Sequence, residues 1–326
     1  MPRPGRRAAV YIAVLAAVIV SGAAACGPGR LSAVEAAPPT AGEMSGVIRG
    51  RVIDRTSPAH PVAGQPVRLE IVERGSSSER QTRTDAGGAF AFSGLPVGGL
   101  RVFLLAADYQ GATYEGAQRI VLTSETPVRD LSLIVYDAGG DRRALRGALL
   151  FGVVDIVPGA LRVTTVEQLL NPTDRAVVTT SADPLAFPLP GGAVAVQPLD
   201  GWHDPHAEEG RITDARAITP GPVQVTYAYE ERPPHGDAAL AWMLPFGAAR
   251  VEILVSDLDV RVATDGLRFG DPVTASGRRY RHWSGGSVSA GGVVSLRLEG
   301  LPAAGDRWPG AVAGALAAAL AVGLFA

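Results

Sequence analysis

The 326-residue chain contains no lysine; all 30 of its basic side chains are arginines. It has a single cysteine, Cys26, so no intrachain disulfide can form. Aromatic residues make up only 6% of the chain, and its five histidines are scattered, leaving little material for acid–base chemistry. Three motifs are also missing: a G-x-S-x-G nucleophile elbow, a phosphate-cradling G-x-x-x-x-G-K-[ST] loop, and a G-x-G-x-x-G turn after a strand. These absences exclude the commonest hydrolase, nucleotide and dinucleotide chemistries, and no cofactor is implied.

Glycine and proline are abundant, at 40 and 25 residues, beside 47% hydrophobic content. That balance predicts short strands joined by tight turns rather than helices. The length allows two ordinary domains plus terminal segments. Residues 1–25 read as an export signal: Arg3, Arg6 and Arg7 precede the apolar run Ala8 to Val20 and the small residues Ser21 to Ala25. Removing the signal leaves 27 basic against 32 acidic side chains, a mild acidity that offers nothing to nucleic acid.

Cys26 directly follows Gly22-Ala23-Ala24-Ala25, a placement that resembles a bacterial lipobox, with Ala23 where leucine is usual. Cys26 is the lipidation candidate; ordinary cleavage after Ala25 is the alternative. Residues 26–45 are rich in Ala, Pro and Gly and read as a flexible tether. At the other end, residues 303–326 read as a transmembrane segment. Its apolar run Gly310 to Ala326 would span about 25 Å as a helix, and Trp308 stands where an interfacial anchor would.

Between these ends, residues 46–137 carry the clearest pattern. Val67, Leu69 and Ile71 alternate with Arg68 and Glu70, as in a half-buried strand. Thr84-Asp85-Ala86-Gly87-Gly88 supplies turn chemistry for a short hairpin, and Phe90 and Phe92 share one face of the next strand. The order Gly-x-Val, Pro-Val-x-Gly-x-x-Val, Thr-Asp-x-Gly-x-Phe-x-Phe, Leu-Pro-x-Gly resembles the carboxypeptidase regulatory-like domain. That is a transthyretin-like β-sandwich related to the B-type repeats of surface adhesins. The resemblance implies about seven strands and an exported setting. Those adhesin relatives often carry a Lys–Asn isopeptide crosslink, which a chain without lysine cannot make.

Residues 138–147 read as a short polar linker, and residues 148–302 as a second β-sandwich. Phe151 to Val157 is apolar except for Asp155, as in a strand buried on both faces, and Val223, Val225, Tyr227 and Tyr229 alternate with polar or small residues. The overall expectation is all-β: two tandem sandwiches, the first transthyretin-like, with a signal segment before them and a hydrophobic helix after.

Two clusters invite a functional reading. Trp202 to Glu209 contains His203, Asp204, His206 and Glu209, residue types that ligate zinc or a similar ion. Pro205 and the charge density predict a solvated loop there. The H-x-x-E match at His206 to Glu209 lacks the helical periodicity of a zinc carboxypeptidase. Arg278, Arg279, Arg281 and Trp283 form a surface-binding candidate, for which anionic lipid or polysaccharide would be the partner behind an export signal. An edge strand protected by charge is the simpler reading. The expected function is that of an exported, membrane-anchored envelope protein, non-catalytic, acting by binding or scaffolding on the periplasmic or extracytoplasmic face. Its partners would be the membrane and an envelope protein or polysaccharide. A metal-dependent factor or hydrolase centred on residues 202–209 is one alternative, and an accessory subunit of a membrane complex another.

Overall fold

The structure, a computed structural model, describes residues 45–302 except 75, 117–118, 158 and 234–235. The segments expected as an export signal, as a tether with Cys26 (all but residue 45) and as a transmembrane helix therefore lie outside the described residues. Among those described, no helix is long and apolar enough to cross a membrane.

The chain folds as packed β-sheets, and its one helical element among the described residues is a single 3-10 turn. The first eight strands are β1 (Ser45–Asp54), β2 (His60–Pro61), β3 (Pro66–Glu73), β4 (Ser76–Arg83), β5 (Ala89–Pro96), β6 (Arg101–Tyr109), β7 (Ala112–Glu115) and β8 (Val128–Val135). They form two four-stranded sheets. In one, β1 pairs antiparallel with β2 and β5 and parallel with β8; in the other the order is β4-β3-β6-β7. The alternating faces of these strands close on one core containing Ile48, Val52, Leu69, Phe90, Phe92, Phe103 and Leu133.

The Asp85 turn corrects one expectation. Its chemistry is as the sequence suggested: the Asp85 carboxylate accepts hydrogen bonds from the amides of Gly87 and Ala89, both at 2.8 Å, and Gly88 takes a φ of 74°. But β4 pairs with β3 while β5 pairs with β1, so the turn carries the chain from one sheet to the other and closes no hairpin. Gly88 has a second reason to be glycine, since a Cβ there would lie 2.8 Å from the carbonyl oxygen of Val52. Around Ile120 the chain makes a single bridge, to Phe103, and β7 pairs antiparallel with β6.

A polar clasp ties this body to the second half of the chain. The Tyr109 hydroxyl lies 3.0 Å from Asp54 Oδ2 and 3.1 Å from Asp137 Oδ1, and Arg175 reaches Asp137 Oδ2 at 3.2 Å. Asp54 is fully buried, with its other oxygen on the amide of Thr56 at 2.7 Å. Burial and the two carboxylates push the Tyr109 phenol well above its ordinary pKa, so it stays a donor. Tyr109→Phe is expected to lower stability by about 1–3 kcal/mol, because a buried carboxylate oxygen loses its donor. Urea denaturation would measure it, and an unchanged midpoint would show that the clasp contributes nothing.

After the 3-10 turn Arg142–Ala144 come fifteen further strands. They are β9 (Arg146–Val157), β10 (Ala160–Asn171), β11 (Val177–Val178), β12 (Leu185–Pro188), β13 (Val194–Asp200), β14 (Pro205–Glu208), β15 (Arg211–Asp214) and β16 (Ala217–Ile218). The remainder are β17 (Gly221–Glu231), β18 (Ala238–Leu244), β19 (Arg250–Ser256), β20 (Arg261–Thr264), β21 (Arg268–Ala275), β22 (Arg278–Gly285) and β23 (Gly292–Glu299). Seven form one sheet, β13-β17-β10-β9-β19-β22-β21, whose β9–β19 pair is parallel. A three-stranded sheet, β18-β23-β20, contributes Leu240, Trp242, Leu244, Val294, Leu296 and Leu298 to a core shared with Leu150, Val154, Val163, Tyr229 and Ile253 of the large sheet. Strand β9 is buried on both faces, because Leu149, Phe151 and Val153 pack into a separate cluster with Val166, Leu254 and Tyr280; Asp155, the one charge in its apolar run, accepts from the Tyr280 hydroxyl at 2.9 Å.

Residues 138–147, expected as a short polar linker, contain a bridge and a 3-10 turn. Ala138 bridges to Ala176, the 3-10 turn comes next, and β9 begins at Arg146. Ala176 belongs to the first core, and Val178 and Ala217 pack against it.

Candidate functional site

The 3-10 turn and the start of β9 form one wall of an open cleft of about 1180 Å³. Asp141 starts that turn, accepting from the amide of Arg143 at 2.8 Å with its carboxylate and from that of Ala144 at 2.8 Å with its carbonyl. Ala186 and Pro188 of β12 line a second side, Pro245, Phe246, Ala248 and Ala249 a third, and Val288 to Ala290 the last.

The floor is made of backbone. The amide of Gly147 donates to the carbonyl of Phe246 at 2.8 Å, and that of Ala249 to the carbonyl of Gly147 at 2.9 Å. Ala248 and Val288 exchange two further hydrogen bonds at 2.9 and 2.8 Å. Gly247 turns the chain with a φ of 70°, which few residues other than glycine adopt. Phe246 is held against the Phe187 ring, centroids 6.4 Å apart, so the largest apolar wall residue is fixed in place.

Charge at the rim is unbalanced. Arg142 pairs with Asp183 at 2.6 Å and also donates to the carbonyl of Pro184. Arg146 donates to the carbonyls of Arg143 and Leu145, at 2.6 and 2.9 Å, and no carboxylate among the described residues lies within ion-pair distance of it. The Arg143 side chain is exposed and likewise has no carboxylate partner among them. With Asp141 and Asp183 counted against the three arginines, the rim keeps a net positive charge. Its one hydroxyl is Ser289, and neither histidine nor cysteine is among its lining residues.

The sequence-predicted candidates lie elsewhere. His203, Asp204, His206 and Glu209 are all exposed, on and around β14. The stretch is thus an edge strand instead of the expected loop; Pro205 is tolerated because it occupies the strand's first position. Trp202 anchors it from behind, donating to the carbonyl of Thr226 at 2.6 Å and meeting Phe187 edge to face. The amide of Asp204 donates to buried Asp214 at 2.8 Å. His206 lies 4.0 Å from Asp204, while His203 turns away to Glu115 of the first body, 3.7 Å off, beside a smaller cavity of about 430 Å³. Among the described residues, no three His, Cys, Asp or Glu side chains gather to hold a metal ion.

Arg278, Arg279, Arg281 and Trp283 are on β22, which is interior to the sheet, flanked by β19 and β21. The edge-strand expectation is corrected accordingly. Arg279 pairs with Asp257 at 3.0 Å and Arg278 with Asp155 at 3.5 Å; Arg281 donates to the carbonyl of Val260 at 2.9 Å and sits over the Trp283 ring. Trp283 is buried in the core. Arg279, Arg281 and Trp283 share one face of the strand and Arg278 the other, so the four present no common surface.

Glu167, a buried carboxyl group with a raised pKa, lines neither cavity. It is buried between the sheets, where loss of solvent raises its pKa to about 7 even though the Tyr227 hydroxyl donates to it at 2.8 Å.

Comparisons with known proteins add little. No family description and no curated protein matches the chain. Among solved structures, it is similar to a mutant M1 zinc metallopeptidase from Deinococcus radiodurans, at 12% identity and a TM-score of 0.33. That match covers 48% of this chain and 42% of the other. A likeness at that level carries no argument about chemistry.

Proposed function

We propose that the chain is an exported envelope protein that is held at a membrane and acts by binding or scaffolding, with the Arg142 to Gly147 cleft as its contact surface. The observation that carries this reading is the composition of the cleft. Apolar walls and two guanidinium groups without carboxylate partners suit it to holding a partner. A lone hydroxyl with no histidine beside it is poorly equipped for proton transfer. The resemblance of residues 46–137 to the carboxypeptidase regulatory-like domain supports a spacer or docking role for the first body. Nucleic acid is not among the expected partners.

Mass spectrometry of the protein recovered from cells tests the location. The expected mature N-terminus is Cys26 carrying a diacylglycerol, in the membrane fraction. An unprocessed chain in the cytosol would overturn the reading. Elemental analysis of the same sample separates it from the metal-dependent alternative at His203 to Glu209, for which one equivalent of zinc is the expected result.

A further inference from the structure

We propose that the cleft binds one molecule of an anionic lipid, its phosphate on Arg143 and Arg146 and the start of its acyl chain along Phe246, Pro245 and Val288. The inference rests on the binding role proposed above and names the ligand of that same cleft.

The two guanidinium groups set the sign of the ligand. Both line the cleft, and Arg146 is steered by its bonds to the Arg143 and Leu145 carbonyls, which leaves donors of its planar fork for an incoming anion. Arginine meets phosphate with paired, charge-assisted hydrogen bonds, which are roughly twice as strong as those between neutral groups.

The backbone sets the class. An acidic peptide lying in the cleft would need main-chain partners for its own amides and carbonyls. The amides of Gly147, Ala248, Ala249 and Val288 are already spent on one another's strands. Among the side chains beyond the rim charges, only Ser289 offers hydrogen-bonding capacity. A hydrocarbon chain asks for none of this, and the half-buried Pro188, Pro245, Phe246 and Val288 provide a surface that gains by covering it.

The test uses the full mature chain in a non-ionic detergent, observed by native mass spectrometry with dilauroyl phosphatidic acid or dilauroyl phosphatidylcholine added. The expected result is a one-to-one adduct with the phosphatidic acid. It should weaken roughly tenfold to a hundredfold when Arg143→Glu and Arg146→Glu are combined, the cost of losing charge-assisted bonds. Both side chains are exposed, so this variant is expected to keep the wild-type circular dichroism spectrum and denaturation midpoint. Phe246→Asp should weaken the same adduct through the apolar wall. No adduct, an equal adduct with phosphatidylcholine, or an adduct indifferent to the double charge reversal each overturns the proposal. If an acidic peptide binds with the same arginine dependence while the lipid does not, the lipid assignment falls and the binding role stands. If the mature chain is found in the cytosol, the role itself fails.

Discussion

Gly147→Ala should cost the second body about 4 kcal/mol or more, the range reached only when a specific contact is broken. The reason is a close backbone approach. A Cβ at position 147 would stand 1.7 Å from the carbonyl oxygen of Gly247 and 2.5 Å from its carbonyl carbon. No side-chain rotation relieves such a clash, because the obstructing atoms are backbone on a tight turn. Separating the strands would also break the Gly147 to Phe246 and Ala249 to Gly147 hydrogen bonds that make the cleft floor. Ordinary overpacking of a core costs about 1–3 kcal/mol, and there flexible side chains share the strain. Gly191→Ala is the matched control: nothing lies within 4 Å of a Cβ there, and the change should stay within about 0.5 kcal/mol. Urea unfolding monitored by the fluorescence of Trp242 and Trp283, both buried in this body, reads the difference. A Gly147→Ala variant as stable as the control would mean that β9 and the Gly247 turn are not in contact.

How much of the fold is legible in the chain depends on how local each signal is. The alternation of Phe90 and Phe92 and the run through β9, apolar except for Asp155, are properties of single strands, and both can be read directly. The Asp85 turn shows the limit. Its residues dictate its own geometry, yet β4 is already paired with its chain neighbour β3, from Glu73 opposite Ser76 onward, and β5 finds its partner far back in the chain, at Ile48 to Arg51 of β1. The Arg278 to Trp283 strand misleads for a related reason. Its arginines resemble the protection of an exposed edge, but Asp155 and Asp257, more than twenty residues away in the chain, supply their counter-charges. The cleft is not legible at all. Its walls come from residues 141–147, 186–188, 245–249 and 288–290, and each piece alone reads as a joint or a turn. The one local hint is Phe246 in the turn Leu244-Pro245-Phe246-Gly247, a large apolar residue where a turn needs none.

Glu167 should make stability fall as pH rises, contrary to the usual behaviour of a carboxylate held by a salt bridge. Its pKa in the folded protein is raised from 4.5 to about 7 by burial, and the Tyr227 hydrogen bond offsets only part of that. Between these two values the folded state binds the proton that the unfolded state has already released, so each step up in pH favours unfolding. The contribution is fully present below about pH 4.5 and gone above about pH 7. A difference of two to three units corresponds to roughly 3 kcal/mol. The side chain is buried, so solvent does little to screen this effect. Glu167→Gln removes the titration while keeping a carbonyl oxygen for the Tyr227 hydroxyl, 2.8 Å away in the wild type. The variant should therefore exceed the wild type in stability at pH 8 by about 2–3 kcal/mol and lose most of the wild type's slope between pH 5 and 7. Tyr227→Phe should steepen that slope, since without the hydrogen bond the carboxyl pKa rises further. Urea titrations at pH 5, 6, 7 and 8 on the three proteins measure both effects. A Glu167→Gln profile parallel to that of the wild type would place the pH dependence on another group and show Glu167 to be charged in the folded protein.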